Sequence, residues 1–228
     1  MSESELPSGY ALRPLGPADL PGLMALHAAV MAALPDPAMF RLFGGAESFF
    51  SNHWGARGES LGVCAGERIV AYGSLTRPRA GDRDNYAGDI GWDAARAGRV
   101  ALLSAAMVDP AERGQGLHAT LIRARLQLAA ARGVPELLVR AAPTNTLSRR
   151  TLLAHGFALV WLGVQAEGSL RHVLWRPVER TAAVADAATT WVAAEDLEAQ
   201  TRLLASGWRG VAMREGDAAI GFAPTPFG

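Results

Sequence analysis

The sequence predicts an α/β protein, with a mixed sheet and helices on its faces, and three patterns support that prediction. The 228-residue chain is 50% hydrophobic and 19% charged, so it has enough apolar material for a folded core. Residues 100–108 form a nearly continuous apolar run, which is typical of a strand buried on both faces. The stretch over 115–132 then repeats leucine at helical spacing, so the buried strand leads into a long amphipathic helix.

The first third of the chain is predicted to hold a strand, two helices and a hairpin. The predicted bounds are a strand at 10–14, helices at 18–34 and 38–54, and hairpin strands at 61–65 and 69–75. The first helix repeats apolar residues at helical spacing, whereas the aromatic-rich second helix is interrupted by Gly44-Gly45. Gly66-Glu67-Arg68 between the two hairpin strands is a turn signal.

The middle of the chain combines an irregular segment with a second alternation of strands and helices. Residues 77–98 are rich in Gly, Asp and Arg without periodicity, and we expect a substrate-side loop, because loops of that length are usually functional or mobile. The elements predicted after it are strand 100–108, helix 115–132, strand 137–140, helix 146–155 and a hairpin of 158–164 and 170–175 turning at Glu167-Gly168.

The last forty or so residues are predicted to form a C-terminal β-α-β-β extension. After an alanine-rich joint at 181–188, the predicted elements are strand 189–193, helix 195–205 and strands 208–213 and 218–223. Leu-Leu-Ala-His-Gly-Phe at 152–157 is similar to Leu-Leu-Ala-Ser-Gly-Trp at 203–208, which suggests a second copy of the unit at 137–175. We therefore predict a main domain at 10–178 and an extension at 189–228. About 35 residues are too few to bury an apolar face alone, so the extension should pack on the main domain or on a partner subunit, as in a possible homodimer.

Charge and cysteine content narrow the function classes. Lys+Arg and Asp+Glu both number 22, and this balance argues against nucleic-acid or membrane partners recognised by bulk charge. The acidic start has no apolar run behind it, so we expect a cytoplasmic protein without a signal peptide or transmembrane helix. The one cysteine, Cys64, lies in an apolar stretch and is expected to be a buried thiol. No metal site is predicted.

The most informative stretch for function is Val-Asp-Pro-Ala-Glu-Arg-Gly-Gln-Gly-Leu-His at 108–118, which has the features of a phosphate-binding loop. Gly114 and Gly116 lack Cβ atoms, so their backbone N–H groups can approach a diphosphate, and the following helix presents its positive end to the same anion. A Walker loop is excluded because the chain has no lysine, and a dinucleotide fingerprint would need a third Gly or Ala and a later acidic residue.

That stretch resembles the Arg/Gln-x-x-Gly-x-Gly/Ala loop of the GCN5-related N-acetyltransferase (GNAT) family, with His118 where Gly or Ala is usual. Asn145 and Ser148, followed by Gly156-Phe157, are similar to the second signature of the family, an Asn that opens a short helix ending in Gly-Phe. Two further places are similar to a bacterial subgroup, Asp84-Asn85-Tyr86 and Arg171. The resemblance covers about residues 10–178 of the chain.

The resemblance implies a GNAT-type acyl-CoA N-acyltransferase fold that opens a V between the fourth and fifth strands, with acetyl-CoA as cosubstrate. The pantetheine arm would pair with the backbone of Ala106, Met107 and Val108. The residues implied for the diphosphate are Arg113, Gly114, Gln115, Gly116, Leu117, His118 and Ala119. Asn145 and Ser148 would contact the arm from the other side.

The implied activity is acetyl transfer to the primary amine of a small molecule or peptide by direct attack. Relatives often supply a tyrosine acid four residues before Gly-Phe, where this chain has Leu152, and no glutamate lies on the fourth strand, so no catalytic residue is assigned. A thiol with a pKa of about 8.5 leaves with little assistance, so the missing tyrosine does not exclude catalysis. The alternative is a degenerate domain that binds acyl-CoA as a sensor or interaction module without turnover. The candidates for an acceptor pocket are His53, Trp54, Tyr86, Asp89 and Trp92.

Overall fold

The computed structural model describes residues 6–40, 42, 44–166, 168–181, 188–214, 216 and 218–224. The chain forms two compact units, each built from two stretches of sequence. The first unit takes residues 1–77 and 101–132, and the second takes 78–100 and 133–228. The chain therefore passes from one unit to the other three times.

Strands and helices alternate through the described part of the chain, which confirms the predicted α/β class. In chain order the elements are β1 (Tyr10–Leu15), α1 (Leu20–Ala32), α2 (Ala46–Ser51), β2 (Gly58–Ala65), β3 (Arg68–Thr76), α3 (Ala94–Ala97), β4 (Val100–Val108), α4 (Leu117–Ala131), β5 (Glu136–Ala141), α5 (Thr146–Ala154), β6 (Ala158–Val164), β7 (Leu170–Pro177), β8 (Thr190–Val192), α6 (Leu197–Ala205), β9 (Arg209–Met213) and β10 (Ile220–Ala223).

The first unit is an antiparallel sheet of strand order β1-β2-β3-β4 with a helix layer on each face. Neighbouring residues on β3 point to opposite faces, so Tyr72 and Ala71 enter different cores. Tyr72 packs with residues of α1 and α2, whereas Ala71 packs with Leu117 and Leu121 of α4. The strand β3 therefore supports both β4, with which it pairs, and α4, which packs on its face.

The second unit contains antiparallel strands in the order β5-β7-β6-β9-β10-β8. The β-α-β-β order predicted for the extension is present as β8, α6, β9 and β10, and β9 meets β6 where Leu159 pairs with Gly210. Glycine is needed there because a Cβ at 210 would lie 3.0 Å from the Leu159 side chain. Residues 182–187 of the predicted joint lie outside the described residues, and the domain boundary itself stays a prediction.

Several predicted bounds are wrong by a few residues, for local backbone reasons. The predicted helix over 38–54 is reduced to α2, because Gly44 and Gly45 have positive φ of 73° and 86° and end regular structure there. The helix α4 begins two residues late because Gly116 caps it in a left-handed conformation. The strand β10 begins at Ile220 rather than 218, since Ala218 has a φ of 52°. Glu167 of the predicted turn lies outside the described residues.

Most of the segment predicted as a loop, 77–98, has no regular structure, and from residue 78 onward it belongs to the second unit; that it faces a substrate stays a prediction. It contains the short helix α3, and its Arg96 makes a bidentate ion pair with Glu136 at 2.8–3.2 Å between guanidinium nitrogens and carboxylate oxygens. The Arg96 guanidinium also lies 3.6 Å from the ring centre of Trp92, which meets Trp175 edge-on. These contacts hold the segment against β5 and β7.

Two further expectations concern single features of the chain. Cys64 is 2% exposed, which confirms the buried thiol. Within the described residues, none of the helices combines the length and the apolar character that crossing a bilayer requires.

A buried polar chain joins α5, β7 and α6 in the second unit. Arg149 Nη1 donates to His172 Nδ1 at 3.3 Å, so His172 Nε2 carries the proton and donates to Gln200 Oε1 at 3.0 Å. The Gln200 amide donates in turn to the carbonyls of Ala193 and Ala194. The side chains of Arg149, His172 and Gln200 are at most 1% exposed. Water therefore cannot replace any of these hydrogen bonds unless the structure opens.

Acid should destabilise the protein through His172. Burial, and secondarily the Arg149 charge, lowers the pKa of His172 from 6.5 to about 3. The unfolded chain therefore takes up a proton that the folded chain excludes, and stability is lost as pH falls below about 6.5, by about 2–3 kcal/mol near pH 4.5. Urea unfolding at pH 7 and pH 4.5 should show this loss, and His172→Gln should make it smaller. An unchanged pH dependence in that variant would contradict the assignment.

Candidate functional site

The C-terminal half of β4 offers backbone groups rather than side chains. Ala106, Met107 and Val108 pair with Gly73, Tyr72 and Ala71 of β3. The Met107 side chain is buried in the core beside α1, so it fixes the strand and is not available to a ligand. Just before these residues the register of β3 and β4 shifts by one residue, and Ala105 has a positive φ of 44°. Such a β-bulge re-aims the backbone that follows it.

The loop from β4 to α4 is an open cradle of backbone N–H groups. Gly114 and Gly116 have φ of 83° and 72°, both are exposed, and a Cβ at either position would meet no protein atom within 4 Å. Leu117 is 2% exposed and fixes the first turn of α4 to the core. The N–H groups of that first turn have no intrahelical acceptors, and the helix dipole makes this end positive. The loop can therefore receive an anion without rearranging.

Acidic residues at the start of the loop are held by partners that sequence reasoning missed. Arg68 at the start of β3 pairs with Asp109 at 2.5 Å and with Glu112. The Tyr10 hydroxyl donates to Glu112 Oε2 at 2.5 Å and accepts from Gln115 Nε2 at 3.2 Å. The hydrogen bond from Tyr10 and the Arg68 cation keep the pKa of Glu112 below its usual value. The cradle thus begins with two carboxylates, and the single Arg68 cation offsets part of their charge.

Removing the Arg68 cation should weaken anion binding by the loop. In Arg68→Met, Asp109 and Glu112 keep their negative charge but lose the cation that compensates it. We expect the Kd for CoA to rise about three- to ten-fold at low salt, and less at high salt, because exposed charges are screened. Calorimetric titration at two salt concentrations measures this. Adding Glu112→Gln to the variant should restore much of the affinity, and equal affinity in all three proteins would refute the role.

The start of α5, with the predicted Asn145 and Ser148, belongs to the second unit. Asn145 caps this helix, its Oδ1 accepting from the Ser148 N–H at 3.1 Å, so capping explains why these two residues stand three apart. Leu152, at the position of the usual tyrosine acid, is 1% exposed. The roles of Asn145 and Ser148 toward a pantetheine arm stay predictions.

Three of the acceptor-pocket candidates, Tyr86, Asp89 and Trp92, make contacts that hold the segment at 77–98 in place, and of the three Asp89 is exposed. Gln165 Nε2 donates to Asp89 Oδ2 at 2.5 Å, and its Oε1 accepts from Arg140 at 2.8 Å. The Arg140 guanidinium lies 5.4 Å from the ring centre of Tyr86, which is 6% exposed. Trp92 stacks with Arg96, as described above.

The other two candidates lie in the first unit and are also packed. His53 is 7% exposed, and burial lowers its pKa to about 4, with a smaller contribution from Arg57. Its Nδ1 lies 3.5 Å from the Tyr72 hydroxyl. Trp54 packs against the core around α1. His53 is therefore a neutral imidazole at physiological pH rather than a cation.

The structure also identifies Arg125 of α4, which the sequence reasoning did not select. Leu126, one of the leucines that repeat along this helix, is half-buried, whereas Arg125 is 1% exposed. The signal was present in the sequence, since Arg125 stands four residues after the buried Leu121 and is thus on the same helix face. Arg125 belongs to the same unit as 106–108 and 113–119.

Comparisons with known proteins agree with these features. A family model described as the Acetyltransferase (GNAT) family matches residues 30–157. Among solved structures, a GCN5-related N-acetyltransferase from Kribbella flavida is 19% identical over 75% of this chain and 99% of its own, with a TM-score of 0.54. The ribosomal-protein-S18-alanine N-acetyltransferase from Escherichia coli is 17% identical over 78% and 97%, with a TM-score of 0.53. NAA60 from Arabidopsis thaliana, solved in complex with acetyl-CoA, is 14% identical over 75% and 99%, with a TM-score of 0.54. None of the curated proteins compared with the chain matches it.

Proposed function

The chain belongs to the GNAT acetyltransferase family, and from that premise we propose that it transfers an acetyl group from acetyl-CoA to a primary amine of a small molecule or peptide. The observation that carries the proposal is the exposed loop with Gly114 and Gly116 at the start of α4. A diphosphate requires several N–H donors that no side chain obscures, and this loop supplies them at the positive end of a 15-residue helix.

The residues around the loop fit acetyl-CoA in chemistry as well as in shape. Arg113 is exposed beside the two glycines and offers a cation to phosphate oxygens. The backbone of Ala106 to Val108 lies at the end of a strand, where an amide-containing arm can add main-chain hydrogen bonds. In this proposal Gln115, Leu117, His118 and Ala119 complete the diphosphate site, and Asn145 and Ser148 contact the arm.

The chemistry assigned to the protein is positioning and electrostatic stabilisation. An amine with a pKa near ~10 must lose a proton before it attacks a thioester. The charge that develops on the thioester oxygen needs fixed donors, and in this proposal the N–H groups of β4 provide them. No side chain is assigned as acid or base.

Amide hydrogen exchange tests where acetyl-CoA binds. Adding acetyl-CoA should protect amides within 113–119 and 106–108, because their N–H groups would become hydrogen-bonded to the ligand. The backbone of β8, which has no role in the proposed site, serves as the internal control. Protection that spares 113–119 while other segments respond would refute the proposed site.

The pH dependence of turnover tests whether an acid is needed. Since Leu152 occupies the place of the usual tyrosine, kcat should rise with pH as the amine deprotonates and then level off. The measurement is kcat between about pH 6 and 10 with an amine for which chemistry limits the rate. A bell-shaped profile with a distinct alkaline fall would reveal an acid among the remaining residues.

A further inference from the structure

A buried guanidinium contacts the backbone of β4 at its bulge. Arg125 Nη1 donates to the Ala105 carbonyl at 3.2 Å and to the Ser74 carbonyl at 3.4 Å, and Nε donates to the Leu121 carbonyl at 3.0 Å. The side chain is 1% exposed. Buried and bonded to carbonyl oxygens, an ionised donor makes hydrogen bonds stronger than those between neutral groups.

The neighbouring strand is shaped to admit this guanidinium. A Cβ on Gly73 of β3 would lie 2.8 Å from the Arg125 Cζ and 3.1 Å from its Nε, so only glycine leaves room. The register of β3 and β4 shifts directly after Gly73, and Ala105 opposite has the unfavourable φ of 44°. Gly73 on β3, Arg125 on α4 and the bulge at Ala105 on β4 are therefore in mutual contact and fit one another.

The orientation of one peptide unit links this arrangement to the proposed chemistry. The Ala105 carbonyl and the Ala106 N–H belong to the same planar trans peptide, so they point in opposite directions. When Arg125 binds the carbonyl, the Ala106 N–H is fixed pointing away from Arg125. A charge-assisted bond to the carbonyl also polarises the peptide, which makes the N–H a stronger donor.

We propose that Arg125 is a positioning residue that fixes and polarises the 105–106 peptide, so that the Ala106 N–H donates to the thioester oxygen in acetyl transfer. The inference rests on the proposed function. Arg125 itself does not contact the acetyl group. The Ala106 N–H is the group that donates to the thioester oxygen as negative charge develops on it.

The thioester carbonyl itself reports the effect. Infrared difference spectra of acetyl-CoA carrying a ¹³C-labelled carbonyl should show the thioester stretch shifted to lower frequency on binding to the wild-type chain. Arg125→Met removes the cation at similar size, and Gly73→Ala keeps the cation but displaces it. Both variants should lose the shift, keep the Kd for CoA within about three-fold and lower kcat on any amine turned over by about 100-fold, the order found for lost oxyanion donors. Arg132→Met, at the exposed end of the same helix, is the matched control and should behave as wild type.

The outcomes separate this inference from the proposed function. If the wild-type chain does not bind acetyl-CoA, the proposed function fails. If it binds with a shifted stretch and either folded variant keeps the shift and kcat, Arg125 has no positioning role. If loss of the stretch shift is accompanied by an equal loss of CoA affinity, Arg125 acts on general structure, which also overturns the inference. Gly73→Ala differs from the wild type by one methyl group, so it provides the test if Arg125→Met does not fold.

Discussion

Replacing Gly116 with valine should weaken acetyl-CoA binding by about 100-fold or more while the chain stays folded. Gly116 caps α4 with a φ of 72°, and a Cβ there would meet no protein atom within 4 Å. The fold therefore has room for the added side chain. The diphosphate would be excluded, because the branched side chain would occupy the space in front of the N–H groups that are proposed to bind it.

Backbone strain is separated from steric exclusion by a matched control at the other end of α4. Gly133 also has a positive φ, of 64°, and open space around its Cβ direction. Valine at 116 or at 133 should each cost on the order of 1–2 kcal/mol of stability, because L-residues disfavour this conformation. Only the variant at 116 should lose affinity in calorimetric titration with CoA. Wild-type affinity for CoA in a folded Gly116→Val protein would refute the assignment of the loop as the diphosphate site.

Truncation after Val178 has the second large expected effect, which is on stability. We propose that residues 189–223 are an integral part of the second unit. The extension buries Val211, Ile220 and Phe222, and its Gln200 Oε1 accepts a hydrogen bond from His172 Nε2. Truncation would expose the edge of β6 and leave the buried His172 of β7 without its acceptor, and the lost burial and the unpaired group together should cost several kcal/mol. We expect low solubility and a large fall in Tm.

A point variant tests the same claim about stability without removing any residues. Gln200→Leu should destabilise the protein by about 1–3 kcal/mol, because His172 loses its buried acceptor. Glu198→Ala on the exposed side of α6 is the control and should change little, as its pair with Arg202 is solvent-exposed. Any soluble truncated chain should still bind CoA, since the loop at 113–119 belongs to the first unit. A soluble, monomeric truncation with unchanged Tm would show that the extension is an independent appendage.

Much of the strand and helix order could be predicted because local patterns determine it. The apolar run of β4, the spacing of α4 and the glycines before it lie within one short stretch of sequence. In the extension, the similarity between 152–157 and 203–208 is likewise contained in one short stretch of sequence. The bounds failed where single residues took positive φ, as at Ala218, since periodicity carries no signal for a dihedral angle.

The supporting residues of the candidate site could not be predicted in the same way, because they act over long sequence separations. Tyr10 on β1 and Arg68 on β3 reach Glu112, and Arg125 on α4 contacts Gly73 on β3. Such pairs have no common sequence pattern. The contacts that hold the loop at 77–98 could not be predicted either, because they are an ion pair and ring contacts rather than a hydrophobic periodicity.

The most direct test of the account is acetyl transfer itself. Wild-type chain and the Gly116→Val variant would be incubated with acetyl-CoA and a panel of small-molecule and peptide amines, and release of the CoA thiol would be followed together with the mass of the product. The account predicts thiol release that requires one class of amine, an acetylated product in equal amount, and loss of both in the variant. Tight binding of acetyl-CoA by the wild-type chain without acetylation of any amine would contradict it and support the binding module without turnover.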